Sequence, residues 1–187
     1  MKSSETLVKE FLNGDNSAFT QLMKQEECFI KKLLFVHLNG NIDDINDVQQ
    51  EVLLALYHQL KRFRFQSSFK SYLYRFVKNK AVDFIRKQGH IRRINDRVKK
   101  LEGLSSCYFV VDPEEELLKN DSCHQLYQAL ALLGDQERDL ILLKDIENMS
   151  ILEISEVTGL RAGTVKSRLH RCRKKLFLLL EDYYENL

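Results

Sequence analysis

Residues Ser150–Leu176, SILEISEVTGLRAGTVKSRLHRCRKKL, constrain this chain more than any other stretch. The pattern predicts two short helices joined at Gly159. Ser150, followed three residues later by Glu153, is a capping box that satisfies free N–H groups where the first helix begins. Ile151, Ile154 and Val157 give that helix one apolar stripe, and Gly159 ends it, because glycine accepts the left-handed backbone past a helix C-terminus. A second helix starts near Gly163. Its apolar residues, Val165, Leu169, Cys172 and Leu176, line one face, while Lys166, Ser167, Arg168, His170, Arg171, Arg173, Lys174 and Lys175 cover the rest without an acid among them. Two packed helices with a tight turn and a basic second helix are what a helix-turn-helix DNA reader requires.

An α-helix fits the major groove of B-DNA, where each base pair presents its own set of donors and acceptors. Ser167, His170, Arg171 and Lys174 share the face opposite the apolar stripe and can enter the groove together. Arg168 and Lys175 lie at the flanks, where phosphates run. A merely solvated basic helix would account for the charges, but would leave the cap and the glycine turn as coincidences.

A chain of 187 residues with one proline and seven glycines favours long helices with few turns, in one medium domain or two small ones. The net charge of +2 conceals segregation. No Lys or Arg occurs from Leu33 to Leu60, where Asp43, Asp44, Asp47 and Glu51 cluster, whereas Lys and Arg crowd the stretch from Arg75 to Lys100. Separate surfaces for separate partners follow from that polarity. In the predicted helix DDINDVQQEVLLALYHQLKRF, Ile45, Val48, Val52 and Leu56 form the buried stripe, and Asp43, Asp47, Gln50 and Glu51 lie off it. An acidic face with no balancing cation suits docking to a basic partner better than solubility alone.

Aromatic and basic residues interleave through Phe63–Lys87: Phe63, Phe65, Phe69, Tyr72, Tyr74 and Phe76 alternate with Arg64, Lys70, Arg75 and Lys78. Phe65–Phe69 reads as a polar loop bracketed by rings, and the helix after it buries Leu73, Val77, Ala81 and Phe84 while carrying Arg75, Asn79, Asp83 and Arg86 on another side. Single-stranded DNA is held by such a mixture, cations tracking phosphates and rings stacking on bases. Leu73 and Phe76 fit a core; Tyr72, Tyr74 and the loop phenylalanines fit stacking better.

From Gln88 to Val111 helical periodicity fades, which predicts a tether ending at Asp112-Pro113. Glu114-Glu115-Glu116 then opens a helix through Leu117, Leu118, Leu126, Leu130 and Leu133, followed by Gln136–Ile146 before the helix-turn-helix. The C-terminal half is expected to be a compact bundle independent of the first. Cys28, Cys107, Cys123 and Cys172 have no metal-ligand spacing and read as reduced thiols. No apolar run has signal-peptide or membrane-span length, so a cytoplasmic protein is expected.

These motifs together resemble bacterial sigma factors of the extracytoplasmic-function (ECF) group, which keep only sigma regions two and four. Gly14-Asp15…Ala18-Phe19…Leu22 is similar to their opening motif, and Asp44-Ile45-Asn46-Asp47-Val48-Gln49-Gln50-Glu51-Val52 to their polymerase-binding helix. Phe69-Lys70-Ser71-Tyr72-Leu73-Tyr74-Arg75…Asn79…Asp83…Arg86 resembles the segment that reads and melts the minus-ten element. Gln136-Glu137-Arg138, Glu153-Ile154 and Gly163-Thr164-Val165-Lys166-Ser167-Arg168-Leu169-His170-Arg171 resemble region four, which reads the minus-thirty-five element. The chain departs from the family at Tyr72, where Trp is common, at Asn46, where Glu is usual, and at Arg161-Ala162, where a capping residue often stands.

The resemblance implies an all-α fold of two small helical domains: region two at 1–90, a flexible linker at 91–112 and region four at 113–187. It implies a transcription initiation factor without catalytic residues, cofactor or metal. Asp44, Asp47, Gln50 and Glu51 would contact the β′ clamp helices of core RNA polymerase, whose β and β′ subunits are the expected partners. Phe65, Phe69, Tyr72, Arg75, Asn79 and Arg86 would act on the melted minus-ten strand. Thr164, Lys166, Ser167, Arg168, His170, Arg171, Lys174 and Lys175 would read the upstream element of promoter DNA, and the tether would thread towards the polymerase active centre. An anti-sigma factor is a further expected partner, with nucleoid association when active and no direct membrane insertion. A LuxR-like activator would share the basic helix-turn-helix, but the first hundred residues lack the strand alternation its N-terminal half would need. A nucleic-acid enzyme would need clustered carboxylates or a metal site.

Overall fold

Capping residues mark where each of the first helices begins. The computed structural model describes residues 2–38, 40–99, 126, 129–130 and 132–185. Helix α1 (Ser4–Leu12) starts where the Ser3 hydroxyl accepts the Thr6 N–H at 3.2 Å. Helix α2 (Asn16–His37) starts at Asp15, whose carboxylate accepts from the Ser17 N–H and hydroxyl, and these bonds hold its pKa below the usual value. Between α2 and α3 (Ile42–Gln59) the chain turns at Gly40, φ +73°. A Cβ there would stand 3.0 Å from the Phe35 ring, so both backbone and space require glycine. Asn41 then caps α3 by accepting the Asp44 N–H.

Helix α4 (Phe69–Lys99) is begun by two acceptors: the Ser68 hydroxyl takes the Ser71 N–H at 3.2 Å, and Glu5 of α1 takes the Phe69 N–H at 3.3 Å. This helix runs well past Gln88, where fading periodicity predicted the tether. The residues from 88 onward include Gln88, Arg92, Arg93, Arg97 and Lys99, which propagate a helix without an apolar stripe to mark it, and Gly89 weighs most against them, by about 1 kcal/mol. The helix expected at Glu114–Glu116 lies outside the described residues.

Further along, α5 (Asp135–Ile141) runs into a wider π turn at Leu142–Ile146, and α6 (Ile151–Thr158) and α7 (Ala162–Glu185) complete the helix-turn-helix. No strand occurs among the described residues. The expected independence of the C-terminal half is overturned. Leu140, Leu142, Ile154, Val165 and Leu169 belong to the same buried cluster as Leu33, Leu73 and Val77, and α6 packs against α4. Periodicity shows that a helix has an apolar face, but not which neighbour that face meets.

The capping box forms as expected. The Ser150 hydroxyl accepts the Glu153 N–H at 3.2 Å, Glu153 accepts the Ser150 N–H at 2.8 Å, and Gly159 is left-handed at φ +70°. These bonds to Ser150 hold the Glu153 carboxyl below its ordinary value. Its contribution is therefore complete above the ordinary carboxylate range and is lost as pH falls through the lowered value. Ser150→Ala removes the cap acceptor, and chemical denaturation should report about 1 kcal/mol of lost stability.

Candidate nucleic-acid interface

The turn between α6 and α7 is braced from within. The Ser155 hydroxyl donates to the Leu160 carbonyl at 2.5 Å and the Thr158 hydroxyl to the Ile154 carbonyl at 2.6 Å. Val165, Leu169 and Cys172 are buried on the inner face of α7, as their spacing predicts. Lys166, Ser167, His170, Arg171 and Lys174 are all exposed on one continuous surface of the helix, with Thr164 half-buried at its start. That surface is cationic, and a helix of this kind is what enters a major groove.

The flanking cations are already engaged. Arg168 donates to the Gln136 side chain at 2.6 Å, Lys175 pairs with Glu137 at 2.9 Å, and Arg173 pairs with Asp145 through two nitrogens. Lys175's hydrogen bond, followed by the Gly134 N–H, keeps the Glu137 carboxyl below its usual range. Arg168 and Lys175 thus orient α7 on α5. These are exposed pairs that phosphates could replace at little cost.

In the aromatic stretch the structure divides the expected residues. Phe69 is fully buried and Tyr74 is 2% exposed, so neither ring can stack on a base here, which corrects the expectation for both. Phe69 faces inward because it opens α4 directly over α1, with Phe63 edge-on at 6.2 Å. Tyr74 is turned to the C-terminal helices, and burial, then the Asp139 charge, pushes its phenol up. Phe65, by contrast, is 40% exposed and sits at φ +55°, a conformation that bulky residues rarely hold without surrounding constraint. Phe63 at 4.9 Å and the Lys9 ammonium supply that constraint. Tyr72 is half-buried, 4.9 Å from Phe63 and stacked with Phe76. Asn79 and Arg86 are exposed on α4, Arg86 lying 3.9 Å from Asp83.

Arg75 points to the C-terminal half. Its guanidinium donates to the carbonyls of Glu156 and Val157, the latter at 3.3 Å, in the last turn of α6. A cavity of about 290 Å³ lies here, lined by Arg75, Lys78, Asn79, Gln136, Asp139 and Thr158 among others.

On α3 the acidic residues stand as the spacing predicts: Asp43, Asp47, Gln50 and Glu51 are exposed and Asp44 is half-exposed, while Ile45, Val48, Val52 and Leu56 are buried. Leu54, 69% exposed one turn beyond Glu51, adds an apolar contact point that the sequence reading passed over. Its signal was available, since it falls off the buried stripe. No sequence signal marks Asp139, His37 or Glu147, because their partners are distant in the chain.

Two domain families account for this arrangement. Residues 27–91 match Sigma-70 region 2 and residues 123–176 match Sigma-70, region 4. The ECF RNA polymerase sigma factor SigW of Bacillus subtilis is 30% identical over 179 residues, covering 94% of this chain and 95% of the relative. The chain therefore belongs to the ECF RNA polymerase sigma factors, which are transcription initiation factors rather than enzymes. Among solved structures, CnrH in complex with the cytosolic domain of CnrY shares the fold at a TM-score of 0.70, with 23% identity over 97% of this chain and 99% of that one. The sigma factor RpoE of Bartonella quintana, in complex with the anti-sigma factor NepR, shares it at 0.65, with 22% identity over 87% and 96%. No described helix is long and apolar enough to cross a membrane.

Proposed function

We propose that this chain directs core RNA polymerase to a set of promoters by reading an upstream element with α7 and opening the minus-ten element with α4 and the loop before it. The observation that carries the reading is the exposed cationic face of α7, held over a braced glycine turn. Lys166, Ser167, His170, Arg171 and Lys174 meet base edges and nearby phosphates, with Thr164 at the helix start. Phe65, Tyr72, Arg75, Asn79 and Arg86 handle the displaced strand, and Phe69 supports the loop from the core. Asp44, Asp47, Gln50 and Glu51 dock on core polymerase. An anti-sigma factor holds the chain inactive, as the family resemblance implies. The domain limits 1–90, 91–112 and 113–187 belong to the same reading, with α4 continuing through the first limit.

Transcription in vitro with purified core polymerase on a promoter library tests this directly. A shared upstream element among the transcribed members supports it, and transcripts no different from those of core enzyme alone refute it. Within that assay, Arg171→Ala relaxes recognition of one upstream base pair, by roughly 1–3 kcal/mol for a bidentate contact. Lys175→Ala weakens all sequences about equally and lowers the salt dependence. Binding series across single-base substitutions separate the two, and identical sequence profiles for wild type and Arg171→Ala would exclude the base contact.

A further inference from the structure

Helix α1 lies wholly ahead of residues 27–91, the span that matches Sigma-70 region 2, yet it holds the loop before α4 at two points. Its inner face is fixed. Leu7, Val8 and Phe11 are buried, Phe11 packs 5.2 Å from Phe19 and 5.3 Å from Tyr57, and the Ser4 hydroxyl donates to Glu26 of α2 at 2.6 Å. Glu5 and Lys9 are four residues apart and so share one face of the helix. Glu5 accepts the N–H of Phe69, the first residue of α4, at 3.3 Å, which fixes the loop where it ends. The Lys9 ammonium stands over the Phe65 ring, 5.7 Å from its centroid, and holds the middle of the loop.

Phe65 needs such a hold. At φ +55° its backbone occupies the left-handed region, which a bulky residue leaves unless its surroundings prevent it. Its ring is 40% exposed, so core packing does not supply the whole restraint; Phe63, tilted against it at 4.9 Å, supplies part. A ring kept exposed at a strained position suits a ligand with a π face, and an unpaired base has one. We propose that Glu5 and Lys9 are positioning residues for promoter opening. Helix α1 sets the pose in which Phe65 meets the unpaired minus-ten base, Lys9 acting through the ring and Glu5 through the first turn of α4. The inference rests on the reading that this loop handles the displaced strand. A preset ring loses less conformational freedom when it captures a base, so the hold acts on opening and on the choice of base.

Open-complex yield of the full chain with core polymerase, measured across single-base substitutions of the minus-ten element, tests it. Lys9→Met keeps the stem and removes the charge, whereas Lys9→Arg keeps a cation that stacks on rings. Lys9→Met should reduce the preference for the best base at one position about threefold, the size of an exposed cation–ring contact, and Lys9→Arg should restore it. Core association and upstream recognition should hold, which a general loss of folding would not allow. In a Phe65→Ala background Lys9→Met should add nothing, because the contact it removes is already gone. Glu5→Ala should lower the yield, and Glu5→Gln, whose amide oxygen still accepts the Phe69 N–H, should not. The chain contains no Trp, so Phe65→Trp introduces a single fluorophore that reports the pose of the loop without DNA, and adding Lys9→Met should shift its emission. An unchanged base preference in Lys9→Met overturns the proposal. So does a loss that is equal at every base, lowers the salt dependence and persists without the Phe65 ring, which would make Lys9 a phosphate contact. If Phe65→Ala itself opens promoters as wild type does, the proposed role of the loop fails first, and the inference with it.

Discussion

Asp47→Lys combined with Glu51→Lys abolishes association with core RNA polymerase while leaving a folded, helical chain. Both side chains are exposed on α3, off the stripe of Ile45, Val48, Val52 and Leu56 that packs the helix onto α2 and α4. The substitutions therefore leave the core untouched. Across the proposed interface they set cation against cation, and like-charge juxtaposition costs several kcal/mol. Leu54→Ala should weaken the same association more mildly, because an exposed leucine beside the acids contributes apolar area and no charge. Co-purification with core enzyme, with circular dichroism as the folding control, measures both variants. Undiminished co-purification of the double variant would move the docking surface off α3.

Asn79→Ala separates promoter binding from promoter opening. The side chain is exposed on α4 at the edge of the cavity and belongs to neither α7 nor the acidic face of α3. Core association and upstream recognition should persist. The open complex should fall about tenfold, because an unstacked base loses a hydrogen bond worth roughly 1.4 kcal/mol inside a shielded pocket. A bubble template supplies the unstacking beforehand, so the deficit should shrink on it. Permanganate reactivity of thymines on duplex and bubble promoters gives the comparison. Equal opening of the duplex by wild type and Asn79→Ala would place the pocket elsewhere. Arg75, one turn before Asn79, donates to carbonyls at the end of α6.

Local signals carried much of this protein. The Ser150–Glu153 box, the left-handed Gly159 and the stripe of Val165, Leu169 and Cys172 were all readable because capping and helical periodicity act within a few residues. So was the exposure of Asp47 and Glu51. At Gln88 the apolar stripe fades although α4 continues to Lys99. The sequence was misleading at Phe69 and Tyr74, whose rings are equally suited to a base or a core.

What the sequence by itself determined was the set of helices, their inward faces and the segregation of charge between α3, α4 and α7. Those follow from short-range backbone bonding and from the spacing of apolar side chains. Only the tertiary structure decided which faces meet. Asp139 lies 102 residues from His37 and 61 from Lys78, and Arg138 reaches Val36 over a similar span. Contacts across such separations leave no periodic trace in the chain, since they depend on how α5 and α6 dock on α2 and α4. The same docking decided that Phe69 and Tyr74 are buried, that Phe65 is exposed, and that the cations of α4 face carboxylates of their own chain.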